Sequence, residues 1–245
     1  MPAAGAVLLA VITAFASGMG ARLADSIGSE DEPLVSYSIE LLPGRCRGGE
    51  FVPRSSLPTV FSSASRYDWG VLERQPRAAQ ADFNPVQVAI QGGSGRTITL
   101  TRIEFHVERH RRPAGAAFSG ACGDAFTGRA VEVDLDEHPP RIVDSNATLD
   151  GALGARSSNG LRPYRPIRFP WTVSASDPLL LEIIASTSTC DCTWTAEIPW
   201  VSGSASGTIM VDNDGQGYRV VGTRGLPTYA PSTDNWRRLD TELIR

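Results

Sequence analysis

Three stretches of this 245-residue chain carry side chains that could do chemistry. Asp212-Asn213-Asp214-Gly215-Gln216-Gly217 puts oxygen side chains at positions 1, 3 and 5 of a calcium loop and Gly at position 6, which makes Asp212, Asp214 and Gln216 the calcium candidates. Position 12 would be Thr223 in place of a bidentate Glu, and no helical pattern flanks the segment. A turn in which Asn, Asp and Gly supply positive φ accounts for the same residues and is the preferred reading. Glu104, His106, Glu108 and His110 alternate along a predicted strand. Its two His residues would lie about 13 Å apart, too far to share a metal, so the face reads as solvated. Glu132, Asp134 and Asp136 alternate at about 6.7 Å, a separation within the range for inverting glycoside hydrolysis. Alternating acids also suit the wet face of a strand, and no aromatic sugar platform accompanies them. No G-x-S-x-G elbow occurs, and the three His residues have no Ser or Cys in motif context. No catalytic residue, cofactor or resident metal is therefore expected.

The four cysteines are Cys46, Cys122, Cys190 and Cys192. None forms a C-x-x-C pair or stands at zinc-finger spacing from a His, so a structural zinc site is not expected. An even count reads as two disulfides and an oxidising compartment. Cys190 and Cys192 sit two apart in a predicted strand, with Cα atoms about 6.7 Å apart, near the limit of disulfide geometry. Each is expected to bond elsewhere, one to Cys46 and the other to Cys122. Among the tryptophans, Trp171 and Trp194 fall on apolar faces and read as core. Trp69, Trp200 and Trp236 lie near strand ends or loops and are the candidates for a contact surface.

The elements that must position these residues are strands. Val35, Tyr37, Ile39 and Leu41 alternate with polar residues, as do Val86, Val88 and Ile90 ahead of a glycine-rich turn. Ile98 and Leu100 hand over to Ile103, Phe105 and Val107, a change from even to odd that requires a bulge near Thr101 and Arg102. Val131, Val133 and Leu135 form another strand. Ile167 to Val173 carries Pro170 and belongs on a sheet edge. Leu179 to Ile184 is a buried run. Cys190, Cys192, Trp194, Ala196 and Ile198 then share one face, and Thr208–Val211 and Tyr218–Val221 flank an Asp-Gly hairpin signal. Eight or nine short strands without a confident amphipathic helix predict an all-β fold. The expected architecture is an antiparallel β-sandwich, immunoglobulin-like or related, over residues 34–230. Residues 144–160 read as a long loop, and 231–245 as a C-terminal tail.

Ahead of that domain, Ala3 to Ala21 is a 19-residue run without charge, Asn, Gln or His. As a helix it would span about 28 Å, close to the hydrocarbon thickness of a bilayer. Residues 1–21 therefore read as a transmembrane signal anchor, with a cleaved signal peptide as the alternative, and 22–33 as a short acidic tether. Net charge is −4, which argues against nucleic acid as a partner held by bulk charge. All 23 basic residues are Arg, which a GC-rich codon bias explains better than phosphate recognition. With 24 Gly and 17 Pro the chain is too turn-rich for a helical bundle.

Thr189-Cys190-Asp191-Cys192-Thr193-Trp194, then Glu197 and Trp200, then Ser206-Gly207-Thr208-Ile209-Met210-Val211-Asp212, together resemble a block found in actinobacterial membrane or secreted domains. Similar domains occur behind one membrane segment, or behind a helix-turn-helix in proteins labelled transcriptional regulators. The likeness is strongest over about residues 84–230. It implies location and fold and no transferable chemistry, and no helix-turn-helix precedes the apolar run here. The expectation is a single-pass membrane protein with its β domain outside the cell, a non-catalytic binding or interaction module for an envelope protein or ligand. The alternatives are a secreted location, an extracytoplasmic sensory domain of a transcription-regulating system, and a secreted hydrolase.

Overall fold

The computed structural model describes residues 34–42, 49–62, 69–93, 95–120, 128–143, 165–232 and 236–239. The expected membrane segment and tether, Cys46, Cys122, the expected loop 144–160 and the residues past 239 lie outside them. Among the described residues the protein is all-β, with seventeen strands in two sheets and two short helices.

The first sheet runs β1 (Val35–Leu41), β4 (Phe83–Gly92), β12 (Leu179–Ser186), β8 (Arg129–Asp134) and β10 (Arg165–Pro166), with β9 (Arg141–Val143) on β8. The second runs β11 (Trp171–Val173), β5 (Ile98–Leu100), β13 (Asp191–Ser202), β15 (Tyr218–Val221), β3 (Ala79–Ala81), β2 (Gly49–Pro53), β7 (Gly115–Ser119), β16 (Thr228–Pro231) and β17 (Trp236–Leu239). In that sheet β14 (Ala205–Val211) and β6 (Glu104–His110) also pair with β13.

The sheets are mixed, which corrects the expectation of purely antiparallel pairing. β12 with β8, β10 with β8, β15 with β3, and β16 with β7 are all parallel. Parallel neighbours need long connections, and this chain supplies them by crossing between sheets instead of turning straight back.

Period-2 patterning places the main core. On β13, Cys192, Trp194, Ala196 and Ile198 are wholly buried, and on β4, Val86, Val88 and Ile90 are too. They share one cluster with Leu181 and Ile183 of β12, Val131 and Val133 of β8, and Ile98 and Leu100 of β5. From Leu181 to Ala185 β12 is buried on both faces, Glu182 and Ile184 included, as an apolar run in a central strand implies. The bulge falls where the parity change requires it. Leu100 lies opposite Trp200 and Glu104 opposite Glu197, so residues 101–103 face only 198 and 199. β11, just after Pro170, is an edge strand.

Two local expectations need correction. β14 and β15 are not partners in a hairpin; both lie along β13, β14 against Ala196–Ser202 and β15 against Asp191–Trp194. The Asp-Gly segment is therefore an excursion within one line of strand. The true hairpin joins β13 to β14, where Gly203 takes φ +60° in a two-residue turn. The supposed tail also contains structure, because β17 pairs with β16 at the end of the second sheet.

That end of the sheet has its own packing. Phe51, Ala79, Ala81, Ala117 and Val221 form one cluster. Val52, Ala116 and Phe118 form another with Val60 of α1 (Leu57–Ser62) and Leu72 of α2 (Trp69–Glu73). Alternate residues of β2 and β7 thus contribute to different clusters, and β2 is buried along its whole length.

Trp194 ties the two sheets together. Its indole Nε1 donates to Asn84 Oδ1 of β4 at 3.1 Å, and Asn84 Nδ2 donates to Gln80 Oε1 at 2.8 Å. Both Trp194 and Asn84 are buried, so neither polar group has water as a substitute. Trp194→Ala is expected to cost about 3–5 kcal/mol of stability by cavity formation. Trp194→Phe, which keeps a ring but strands the Asn84 oxygen, should cost about 1–3 kcal/mol. Urea denaturation of both variants checks the order.

Candidate functional site

Twice at one place the backbone leaves one sheet for the other. Asp82 lies between β3 and β4, and residues 187–190 lie between β12 and β13; the loop leaving β15, at 222–227, passes beside them. Ladders stop at such crossings, and each peptide group there needs another partner. Asp82, in the left-handed region at φ +61°, supplies several. Its N–H donates to Val221 O at 3.0 Å, its carbonyl accepts Thr187 N–H at 2.9 Å, and its carboxylate accepts both the N–H and the hydroxyl of Thr223 at 2.6 Å.

Asp136, just beyond β8, holds the second crossing. Its Oδ1 accepts the hydroxyls of Thr187 at 2.6 Å and Thr189 at 2.8 Å and the Thr189 N–H at 3.3 Å. Its Oδ2 accepts the Ser188 N–H and hydroxyl, both at 2.8 Å. Partial burial pushes this carboxyl up, but the donors from Thr187, Ser188 and Thr189 outweigh it and hold it at about 2. Burial dominates at Asp82 and raises its pKa despite the Thr223 bonds.

Around these crossings lies a cleft of about 600 Å³, whose lining includes Asp82, Glu132, Asp134 and Asp136. Here the reading of Glu132, Asp134 and Asp136 as a wet face is corrected at Glu132, while Asp136 is exposed as expected. Glu132 is only 1% exposed; on β8 it lies between Ile184 of β12 and Val143 of β9, with Ala130 and Ile184 covered too. Burial, then the Asp134 carboxylate, raise the Glu132 pKa. Among the described residues its Oε2 is buried without a hydrogen-bond partner. Asp134 is half-buried and accepts the Asp136 N–H on Oδ1 at 2.9 Å. Of the four acids, Asp136 accepts five donors from its own chain and Asp82 one on each oxygen, whereas Glu132 keeps a buried oxygen that no donor among the described residues reaches.

The cysteine expectation is also corrected at this crossing. Cys190 and Cys192 are bonded to each other, with Cα atoms 5.5 Å apart. β13 starts only at Asp191, and Cys190 belongs to the preceding turn, its N–H donating to Thr187 Oγ1 at 3.1 Å. That turn draws the pair closer than an extended strand would. Asp191 between them is buried and takes a bidentate ion pair from Arg219, at 2.8 Å from Nε and 2.9 Å from Nη2.

The other candidate residues lie elsewhere. Asp212, Asp214 and Gln216 belong to a turn closed on itself by Gly217 N–H to Asp212 O at 2.7 Å and Asn213 Nδ2 to Gly217 O at 3.1 Å. Asn213 and Asp214 take φ +50° and +58° there. Among the described residues no group of three His, Cys, Asp or Glu side chains is placed to hold a metal ion. His106 meets Glu197 at 3.3 Å and His110 meets Glu108 at 3.6 Å, on exposed side chains. Trp69 and Trp236 are half-buried and pack edge to face at 5.5 Å, and Trp236 also meets Phe118 at 4.9 Å. Trp200, half-buried, covers Gly207, where a Cβ would come within 2.6 Å of the indole.

A second cleft, of about 440 Å³, is lined by Glu50, Glu73, Gln80 and Asn84 among others. Burial, with the Glu73 carboxylate adding to it, raises Glu50 to about 8. Nothing in the Gly49-Glu50-Phe51 stretch distinguishes this acid in sequence, because burial on both faces of β2 depends on elements distant in the chain.

Two pH dependences follow with opposite signs. Asp136 titrates lower folded than unfolded, so its contribution is present above about pH 4 and fades as pH falls towards 2. Asp136→Ala is expected to cost about 1–3 kcal/mol at neutral pH and to flatten that acid limb. Glu50 titrates higher folded than unfolded, so wild-type stability declines as pH rises from about 4.5 to 8. Glu50→Gln should make that decline shallower. Chemical denaturation from pH 2 to 9 measures both; an unchanged alkaline limb in Glu50→Gln would contradict the burial argument.

Compared with known proteins, the chain matches no family model, no curated protein and no solved structure.

Proposed function

We propose that this chain is a non-catalytic binding module held on the outer side of the cytoplasmic membrane. Its body would be a two-sheet sandwich of immunoglobulin-like type, behind an apolar helix over Ala3 to Ala21. Location is supported by the uncharged length of that segment, by the four cysteines with Cys190 bonded to Cys192, and by the resemblance to actinobacterial envelope domains. The ligand or envelope partner would enter the cleft at the sheet crossings.

One observation carries the non-catalytic reading: the acids that line the cleft are mostly occupied. Two-carboxylate hydrolysis needs one acid to donate a proton and a second to act as base or nucleophile. Asp82 and Asp136 each accept donors from their own chain on both oxygens, which leaves them as fasteners. Glu132, its pKa raised by burial, is then the carboxyl left to hold a ligand, and Asp134 beside it already takes the Asp136 N–H on Oδ1.

Expression of the full chain in an actinobacterial host tests location. It is expected in the membrane fraction and is expected to be degraded when protease is added to intact cells. A pool protected until lysis, or four free thiols, would overturn the reading. Recovery in the medium without residues 1–21 would favour the secreted alternative. The purified protein is expected to leave glycoside, ester and phosphoester substrates unchanged.

A further inference from the structure

We propose that the cleft at the sheet crossings binds an alkylammonium group, a cationic amine head on a short methylene chain, with Glu132 as its anchoring carboxylate. This rests on the binding-module reading above and names the ligand class of that site.

The anchor is a buried, unsatisfied acceptor. Glu132 is 1% exposed, lines the cleft, and its Oε2 has no partner among the described residues. A carboxyl left in that state costs stability, and a ligand donor offsets the cost. Charge selects the donor. Among the described residues, Asp82, Asp134, Asp136 and Glu132 line the cleft against one basic residue, Arg224, and Arg112 stands near Asp82. The chain contains no lysine side chain, so it has no side-chain ammonium of its own to place against Glu132.

Donor counting disfavours a metal. Calcium takes about six to eight oxygen ligands, whereas Asp136 already accepts five N–H and O–H donors that a cation would have to displace. An ammonium asks for three acceptors. Glu132, Asp134 and Ser186 line the same cleft, and their two carboxylates with the remaining lone pairs of Ser186 Oγ offer that number. Phe83, Ala117 and Leu226 supply an apolar part for methylenes, and a cleft of about 600 Å³ has the size of a small-molecule site.

The test is calorimetric titration of the full chain in detergent with 1,5-diaminopentane and n-butylamine, with n-butanol and calcium chloride as controls. The amines are expected to bind saturably and the alcohol not to bind. Affinity should rise with pH, because burial raises the Glu132 pKa and the carboxyl must lose its proton to pair with the amine. Buffers of different ionisation enthalpy should therefore show proton release on binding. Glu132→Gln should weaken binding by about tenfold or more. Should that variant not fold, Asp134→Asn and the proton release of the wild type carry the test. Absence of saturable amine binding up to about 20 mM by folded protein, equal affinity in Glu132→Gln, or binding of calcium instead would overturn the inference. The failures separate by following the amine in the same sample by NMR. Consumption of the amine would overturn the non-catalytic reading and leave the site standing; a folded, correctly located, inert protein would overturn only the amine.

Discussion

A strand that leaves one sheet for another abandons its ladder, and its peptide groups must then find partners that no periodic structure supplies. Much of this protein's local architecture answers that constraint at one place. Asp82 and Asp136 spend their carboxylates on the chain's own N–H and O–H groups, one fastening the loop after β15, the other the turn before β13. Because both fasteners are acids, the crossing region gathers negative charge as a by-product of solving a backbone problem. Most of that charge is structural, and only what is left over is chemically available.

The same crossing governs the cysteines and the core beside them. The turn that Asp136 holds also bends the chain into Cys190, drawing it close enough to bond Cys192. Gly222 N–H donates to Cys190 O at 2.7 Å, and a Cβ at Gly222 would fall 2.2 Å from Thr189 N, so the second loop is pressed directly onto that turn. Cys192 in turn begins the buried face that continues through Trp194, whose bond to Asn84 reaches the opposite sheet. Crossing, disulfide and inter-sheet bond thus succeed one another along a few residues.

How much was legible in sequence follows from what each signal depends on. Alternation is local, so the strands holding Val86, Trp194 and Leu181 were readable, and the parity change at Thr101 located a bulge before any partner strand was known. Partnership is non-local. The Asp-Gly signal named a turn correctly but not its flanking pair, since β14 and β15 both choose β13. β2, β3 and β7 are short and buried on both faces, so their burial comes from covering elements and not from their own periodicity. Glu132 misled for the same reason. Its alternation with Val131 and Val133 is that of a wet face, and only the covering of the outer face makes it dry.

That covering is what distinguishes Glu132 from the acids around it. Asp136 has abundant donors and so stays ionised; Asp82 has donors but is buried more deeply; Glu132 has burial without a donor for Oε2. A structural acid in such a position could be replaced by an apolar side chain with little loss or even a gain in stability. Glu132 is therefore hard to explain as part of the scaffold, while its neighbours need no other explanation. The three differ in one respect that sequence cannot express: whether the fold itself supplies the hydrogen that the oxygen requires. Where it does, the acid is a fastener, and where it does not, the missing hydrogen has to arrive from outside.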